Sequence, residues 1–484
     1  MQRLLATITA LLMLSGCGGP ELARWHTVEL TQEFRADRVD EVDSFDSYLE
    51  LEDKLFAQLD REVYAHTGVG PEHTLNRYSA GSAADPRNNQ LNWNRSIELN
   101  AQDPVGGVLL LHGMSDSPYS LRTLGETLHK KGFQVLALRL PGHGTAPSGL
   151  TNVSWQDMAA AIELAMEHLA RRVGDKPIHI IGYSTGAPLA LNFALDAGQG
   201  NSAPMPASLV LISPAIGVSP AAALSSWKRR LSLLPGLDRL AWLNIDPEFD
   251  PYKYNSFATN AAEQVHRLTR SVASRLAARA NSGQDTALPP MLVLKSTVDA
   301  TVSTTAVVDR LLKLLAPDRN QLVLFDVNRL ALVSPLLIDD PGPLSNRLIT
   351  DETLPFGLSL VGNKDQNSAT VSVRYKAPFS AVVSREEPLN LQWPRGVISL
   401  SHVALPFSPQ DPLYGQYPPG NEGQLYLGQI PLQGERGLLK ISSDWLLRLR
   451  YNPFYSYLER RTLDWVDRHQ AMDAKRPYRE LKPC

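Results

Sequence analysis

Apolar positions along the chain switch between two periods. Residues 106–111, GGVLLL, form a short continuous apolar run that ends in HGMSDSP. A run of that length bounded by turn residues predicts a buried central strand feeding a loop. SLRTLGETLHKKG, 120–132, has helical spacing and stops at Gly132, a C-cap residue. FQVLALRL, 133–140, predicts the next strand, ended by PGHG. Residues 154–173 predict a helix with Ser154 as N-cap and Asp157 three residues on. IHIIGYS, 178–184, predicts a third strand, TGAPLALNFALDAG a helix, and LVLISP, 209–214, a fourth strand. Strand and helix alternate at βαβ spacing, which argues for a mostly parallel sheet covered by helices.

Around this block the pattern changes. Residues 18 to about 90 are polar and acidic and read as a tether with a lead-in helix near 44–66, and NRSIELN at 94–100 alternates like a half-exposed strand. The alternation breaks at 215–287, where proline, tryptophan and basic residues cluster ahead of a helix near 260–280. This stretch reads as a mostly helical insertion. The sheet resumes with MLVLKS, 291–296, a helix near 301–315 and QLVLFDV, 321–327. A second insertion spans 328–395, and VISLSH, 397–402, returns toward the core. LYLGQI, GLLKIS and an amphipathic helix over YSYLERRTLDWVDRHQAM close the chain. The implied domains are 1–16 as signal, 17–90 as N-terminal extension, 91–214 with 288–484 as core, and 215–287 as cap.

Composition narrows the function classes. The apolar fraction of 43% over 484 residues excludes a mainly disordered chain. The 47 Lys plus Arg nearly balance the 50 Asp plus Glu, so no basic excess exists to neutralise a nucleic acid. The two cysteines, Cys17 and Cys484, build neither a thiolate metal cage nor a disulfide framework, and no metal is expected. At the N-terminus Arg3 precedes an apolar run from Leu4 to Leu14, too short to span a bilayer but suited to a signal-peptide core.

The strongest chemical signal is Gly182-Tyr183-Ser184-Thr185-Gly186, a G-x-S-x-G pattern. It follows an isoleucine-rich strand and precedes a helix of small residues, the context a nucleophile elbow requires. Ser184 is the candidate nucleophile. Charge developing on an attacked carbonyl oxygen needs two donors. The N–H of Thr185 is one, and the N–H of Met114, in Leu111-His112-Gly113-Met114, is the other. His112, Gly113 and Tyr183 then border the substrate. Pro141-Gly142-His143-Gly144 reads as a rim turn, and His143 receives no catalytic role. The acid and base follow in the order serine, acid, histidine. Asp299, just beyond MLVLKS, is the candidate acid, with Asp326 as rival. Of the two later histidines, His469 lies on a charged helix, so His402 is the candidate base.

HGMSDSP at 112–118, PGHG at 141–144, GYSTG at 182–186, DATV at 299–302 and His402 together resemble the α/β-hydrolase superfamily, in particular its monoacylglycerol lipases, lysophospholipases and carboxylesterases. The resemblance covers about 92 to 330 and resumes near 395. It implies an α/β-hydrolase fold with a helical cap insertion and a second insertion before the histidine. It also implies acyl transfer to water without a cofactor, on carboxylic esters such as lipid or lysolipid esters. An amide, peptide or thioester substrate, acyl transfer to another acceptor, or a non-catalytic binding role are the alternatives. The 215–287 insertion sits where that family places a lid, with Trp227 and Trp242 as candidate acyl-pocket residues. Separately, Leu14-Ser15-Gly16-Cys17 resembles the bacterial lipoprotein signal. That resemblance implies cleavage before Cys17, its lipidation and membrane anchoring. With Gly18 at the next position, it favours the outer membrane of the cell envelope, facing the periplasm. No nucleic-acid partner is expected.

Overall fold

The computed structural model describes residues 22–199, 204–217, 237–282, 288–299, 302–330, 337, 340–418, 420, 424–428 and 447–470. Its centre is a ten-stranded sheet. In chain order the strands are β1 (Ile97–Leu99), β2 (Gly107–Leu111), β3 (Gln134–Leu138), β4 (Ile178–Tyr183) and β5 (Ser208–Ile212). A separate short pair, β6 (Trp242–Asn244) and β7 (Phe257–Ala258), follows. The large sheet continues with β8 (Met291–Ser296), β9 (Gln321–Phe325), β10 (Gly357–Asn363), β11 (Thr370–Lys376) and β12 (Val383–Gln392). Their spatial order is β1-β3-β2-β4-β5-β8-β9-β10-β11-β12. The pairs from β3 through β10 are parallel, and β1, β11 and β12 join antiparallel at the two edges. This is the α/β-hydrolase fold, with the mostly parallel sheet that the alternating pattern predicts.

The apolar strands are explained by burial on both faces. All five residues of β2 are buried: Leu109 and Leu111 join one core layer, Val108 and Leu110 the other. The first layer carries helices α1 (Phe45–Glu62), α3 (Trp155–Val173), α4 (Gly186–Ala197) and α5 (Thr259–Asn281). The second carries α2 (Arg122–Lys130) and the C-terminal α8 (Tyr455–Arg468). The short helices α6 (Thr304–Arg310) and α7 (Gly342–Thr350) flank β9 in sequence. Helix α3 starts at Ser154 with the expected reciprocal cap: Ser154 Oγ accepts from Asp157 N–H and Asp157 accepts from Ser154 N–H.

Three stretches depart from the sequence reading. Residues 22–90 pack on the core instead of forming a tether. Phe45, Tyr48, Leu55 and Leu59 of α1 are buried, and Tyr48 O–H donates to Arg139 O at 2.7 Å. In the 215–287 stretch, α5 lies in the helical layer, where Arg275 meets Asp196 and Asn192 of α4 at 2.6 and 2.8 Å. The described residues of 328–395 do not loop out as a separate insertion. Their strands β10, β11 and β12 widen the main sheet, because β10 takes its parallel register directly from β9. Cys17, Cys484 and Trp227 lie outside the described residues, as does GLLKIS.

The N-terminal extension is tied to the core by charge as well as by packing. Arg139, buried at the end of β3, meets Glu52 of α1 at 2.9 Å and Glu33 at 3.0 Å, and donates to His143 O at 3.1 Å. Replacing Arg139 with Met strands two carboxylates in the interior, an expected loss of about 3–5 kcal/mol. Urea unfolding monitored by tryptophan fluorescence reads this as a lower midpoint.

Candidate active site

The site lies at the C-terminal ends of the parallel strands, where loops and helix starts meet. β4 ends in Tyr183, and Ser184 then adopts φ 53°, a left-handed conformation that L residues adopt only where surroundings enforce it. The enforcing contacts are specific. Ser184 N–H donates to Ile212 O at the end of β5, and Ser184 O accepts from Ala187 and Ala215 N–H. The flanking glycines allow the turn. A Cβ on Gly182 would meet the backbone of Gly186 and Ala187, and a Cβ on Gly186 would meet the carbonyls of Leu111 and His112. Helix α4 therefore starts against two strands at once, with no room for a side chain between them.

His402 stands over this turn. Its Nε2 is 2.9 Å from Ser184 Oγ, and its Nδ1 is 2.8 Å from Asp299 Oδ2. Because the carboxylate only accepts, Nδ1 carries the proton and Nε2 is free to accept the serine O–H. The Asp299 side chain is fully buried, and its Oδ1 accepts from Val302 N–H at 3.1 Å. His402 arrives in a short turn, His402–Ala404, and Tyr183 O–H donates to His402 O at 3.4 Å while its ring packs on the imidazole. The rival Asp326 is not part of this line. It is engaged by Arg329 at 2.6 Å. His469 instead contacts Trp465 O at the end of α8.

The loop after β2 forms the opposite wall. Gly113 approaches so closely that a Cβ would stand 3.0 Å from Ser184 Cβ and 3.2 Å from the Tyr183 ring. The loop turns at Ser115, φ 64°, whose carbonyl accepts from Tyr254 N–H at 2.8 Å. Met114 and Thr185 N–H find no protein acceptor among the described residues.

Three residues expected to border the substrate do something else. His112 is fully buried. Its Nε2 accepts from Leu140 N–H at 3.1 Å, so Nδ1 carries the proton and donates to Gly113 O at 2.8 Å. It clamps the loop to the chain after β3 and does not face a ligand. Trp242 packs edge-on against His26, ring centroids 4.9 Å apart, inside the first core layer and not on a pocket wall. Tyr183 is likewise buried, so it borders His402 and not an open cleft.

Three residues at the site were not singled out from the sequence. Tyr254 pins Ser115. Asp116, whose carboxyl lies beside the loop glycine, has its pKa raised by burial, against the pull of Lys253 at 3.5 Å. Lys295 lies buried beside Asp299. Only the last left a signal in the sequence: a lysine directly after four apolar strand residues, four positions before the candidate acid.

Residues 108–341 match the model of the alpha/beta hydrolase family. The thermostable monoacylglycerol lipase of Bacillus sp. (strain H-257) is 35% identical over 94 residues, 19% of this chain. That match spans 37% of the relative's length. Among solved structures, a monoacylglycerol lipase from Paleococcus ferrophilus aligns at TM-score 0.37 with 20% identity, over 48% of this chain and 88% of that one. A monoglyceride lipase variant from Saccharomyces cerevisiae aligns at TM-score 0.37 with 15% identity, over 48% and 82%.

Four buried histidines, His112 and His143 beside the site and His26 and His179 elsewhere in the fold, give the protein an acid weakness. Burial pulls His143 down to about 4 and His112 well below the usual histidine range, and it also lowers His26 to about 4 and His179 to about 3. An unfolded chain takes up these protons near pH 6.5 and the folded chain refuses them. Stability present above pH 6.5 is therefore lost as pH falls toward 4, at about 1.4 kcal/mol per pH unit for each such histidine. Glu248, pushed up to about 7 by burial, and Asp116 and Glu163, also raised by burial, oppose this in part. Thermal midpoints measured from pH 7 to pH 4 are expected to fall steadily.

Proposed function

We propose that this chain is a serine hydrolase that cleaves carboxylic esters through an acyl-enzyme intermediate. The observation that carries the reading is the single imidazole hydrogen-bonded to both Ser184 Oγ at 2.9 Å and Asp299 Oδ2 at 2.8 Å. In this reading His402 Nε2 takes the Ser184 proton as Oγ bonds to the ester carbonyl carbon. The carbonyl electron pair moves onto oxygen, where Met114 and Thr185 N–H receive it. Collapse breaks the bond to the alkoxide, which leaves with the proton from Nε2. Water then enters by the same route, gives its proton to His402, and releases the acid and Ser184 O–H. Asp299 holds Nδ1–H throughout and stabilises the imidazolium. Nothing in these steps calls on a metal or an organic cofactor.

For the substrate class, the monoacylglycerol lipase name of the partial relative supports a lipid or lysolipid ester. The lipoprotein-like Leu14–Cys17 segment supports the same choice, because it would place the enzyme at a membrane of the cell envelope, with the outer membrane favoured. Lipidation at Cys17 buries acyl CH₂ groups worth about 0.8 kcal/mol each.

The reading is tested with a fluorophosphonate probe, which is expected to label Ser184 in the wild type and to leave Ser184→Ala unlabelled. Hydrolysis of p-nitrophenyl esters should fall by roughly a million-fold in that variant. In the wild type, longer acyl chains should be cleaved better than C2–C4, and a best substrate of C2–C4 would count against the lipid-ester class. In the same host, Cys17→Ser should move the protein from the membrane fraction to the soluble fraction. An unlabelled wild type, or labelling that survives Ser184→Ala, would overturn the nucleophile assignment.

A further inference from the structure

The buried ammonium of Lys295 is used by none of the steps above. Lys295 belongs to β8, where Met291 and Val293 at alternate positions join the first core layer. Its side chain has 0% exposure, as has that of Asp299. Its Nζ stands 3.1 Å from Asp299 Oδ2, the same oxygen that receives His402 Nδ1–H. The contact is an ion pair, the only one that Nζ makes among the described residues. A buried cation held this way is costly, and an apolar side chain of similar length would fill the space without that cost. The ammonium therefore has a purpose beyond packing, and among the described residues its close charge is the carboxylate that faces the imidazole.

Resting on the hydrolase reading, we infer that Lys295 is a positioning residue that sets the charge balance of the Asp299–His402 pair and keeps His402 unprotonated into more acidic solution. The physical argument is Coulombic. With Lys295 charged, Lys295 and Asp299 form a neutral pair, and protonating His402 adds a second cation at close range. Without Lys295 the carboxylate acts on the imidazole unopposed, and the imidazole holds its proton to higher pH. The other charged and titratable groups around the pair come from every neighbouring element. Asp116 lies on the loop after β2, near enough to His402 to feel its charge, and pairs with Lys253. Tyr183 on β4 is held neutral by burial. Asp326 after β9 is neutralised by Arg329, and Arg448 and Arg450 lie near Tyr183. Of these, Lys295 is the cation in contact with the acid. Burial draws its own pKa down and Asp299 pushes it back up.

The test is the pH dependence of the second-order rate of fluorophosphonate labelling at Ser184, which reports the free protein's base and needs no knowledge of the natural ester. Lys295→Met is expected to move the acid limb to higher pH by about one unit. Lys295→Gln is the second neutral variant and is expected to move it the same way. Lys295→Arg, which keeps the charge, should return the limb toward the wild-type position. A folded neutral variant with the wild-type midpoint and only a lower plateau would overturn the inference and leave Lys295 as packing. A wild type that is not labelled at any pH fails differently: it removes the nucleophile assignment beneath the inference.

Discussion

Helix α4 begins where β2 and β4 end, and backbone meets backbone there. Gly186 has the carbonyls of Leu111 and His112 where a Cβ would go, and Gly182 has Gly186 itself. That contact leaves Ser184 no extended path, and the residue turns through φ 53° with its N–H fixed to Ile212. The cost of the left-handed backbone is offset by the packing of a helix whose first ten residues are all buried. Every other element of the site is placed relative to this turn. Gly113 closes on it from β2, the imidazole descends on it from the chain beyond β9, and Asp299 backs the imidazole from β8.

The imidazole reaches this place after a long excursion. Between β9 and His402 the chain makes three strands, β10 to β12, that extend the sheet at its edge. It then comes back to its starting point. Asn328, just beyond β9, donates its N–H to Ile398 O at 2.7 Å and its side-chain amide to Val397 O at 3.0 Å. One asparagine thus closes the detour and sets His402 down at the strand ends. Closing a loop of this length costs little more entropy than closing a short one, because the cost grows only with the logarithm of length.

The N-terminal extension braces the site from the other side. Arg139 at the end of β3 is held by Glu33 and Glu52, and the adjoining turn holds His143 against His112. Arg77, fully buried, donates to Asp250 O and Lys253 O. Those carbonyls lie just before Tyr254, whose N–H meets Ser115 in the loop after β2. Both arginines are cations taken from water, Arg139 held by carboxylates and a carbonyl and Arg77 through its terminal nitrogens by carbonyls, so each fixes geometry more than it adds stability.

The order of strands and helices was legible in the chain itself, because burial on both faces of a parallel strand writes a continuous apolar run and burial on one face of a helix writes a 3.6 period. The glycines about Ser184 were legible for a related reason: a backbone contact leaves no room for any other residue. What lies beyond local period was not. The polar composition of 22–90 hides that Phe45, Tyr48 and Leu55 face one side and are buried, and the alternation at 370–376 does not say which strand it will pair with. The sequence could name His402 and Asp299 as candidates by order and context, but their meeting depends on sheet register, and register is a property of paired strands. His112 and Trp242 look like pocket residues in one dimension. Only the folded chain decided that one clamps a loop and the other fills the core, because burial and hydrogen-bond partners are set by segments far away in sequence.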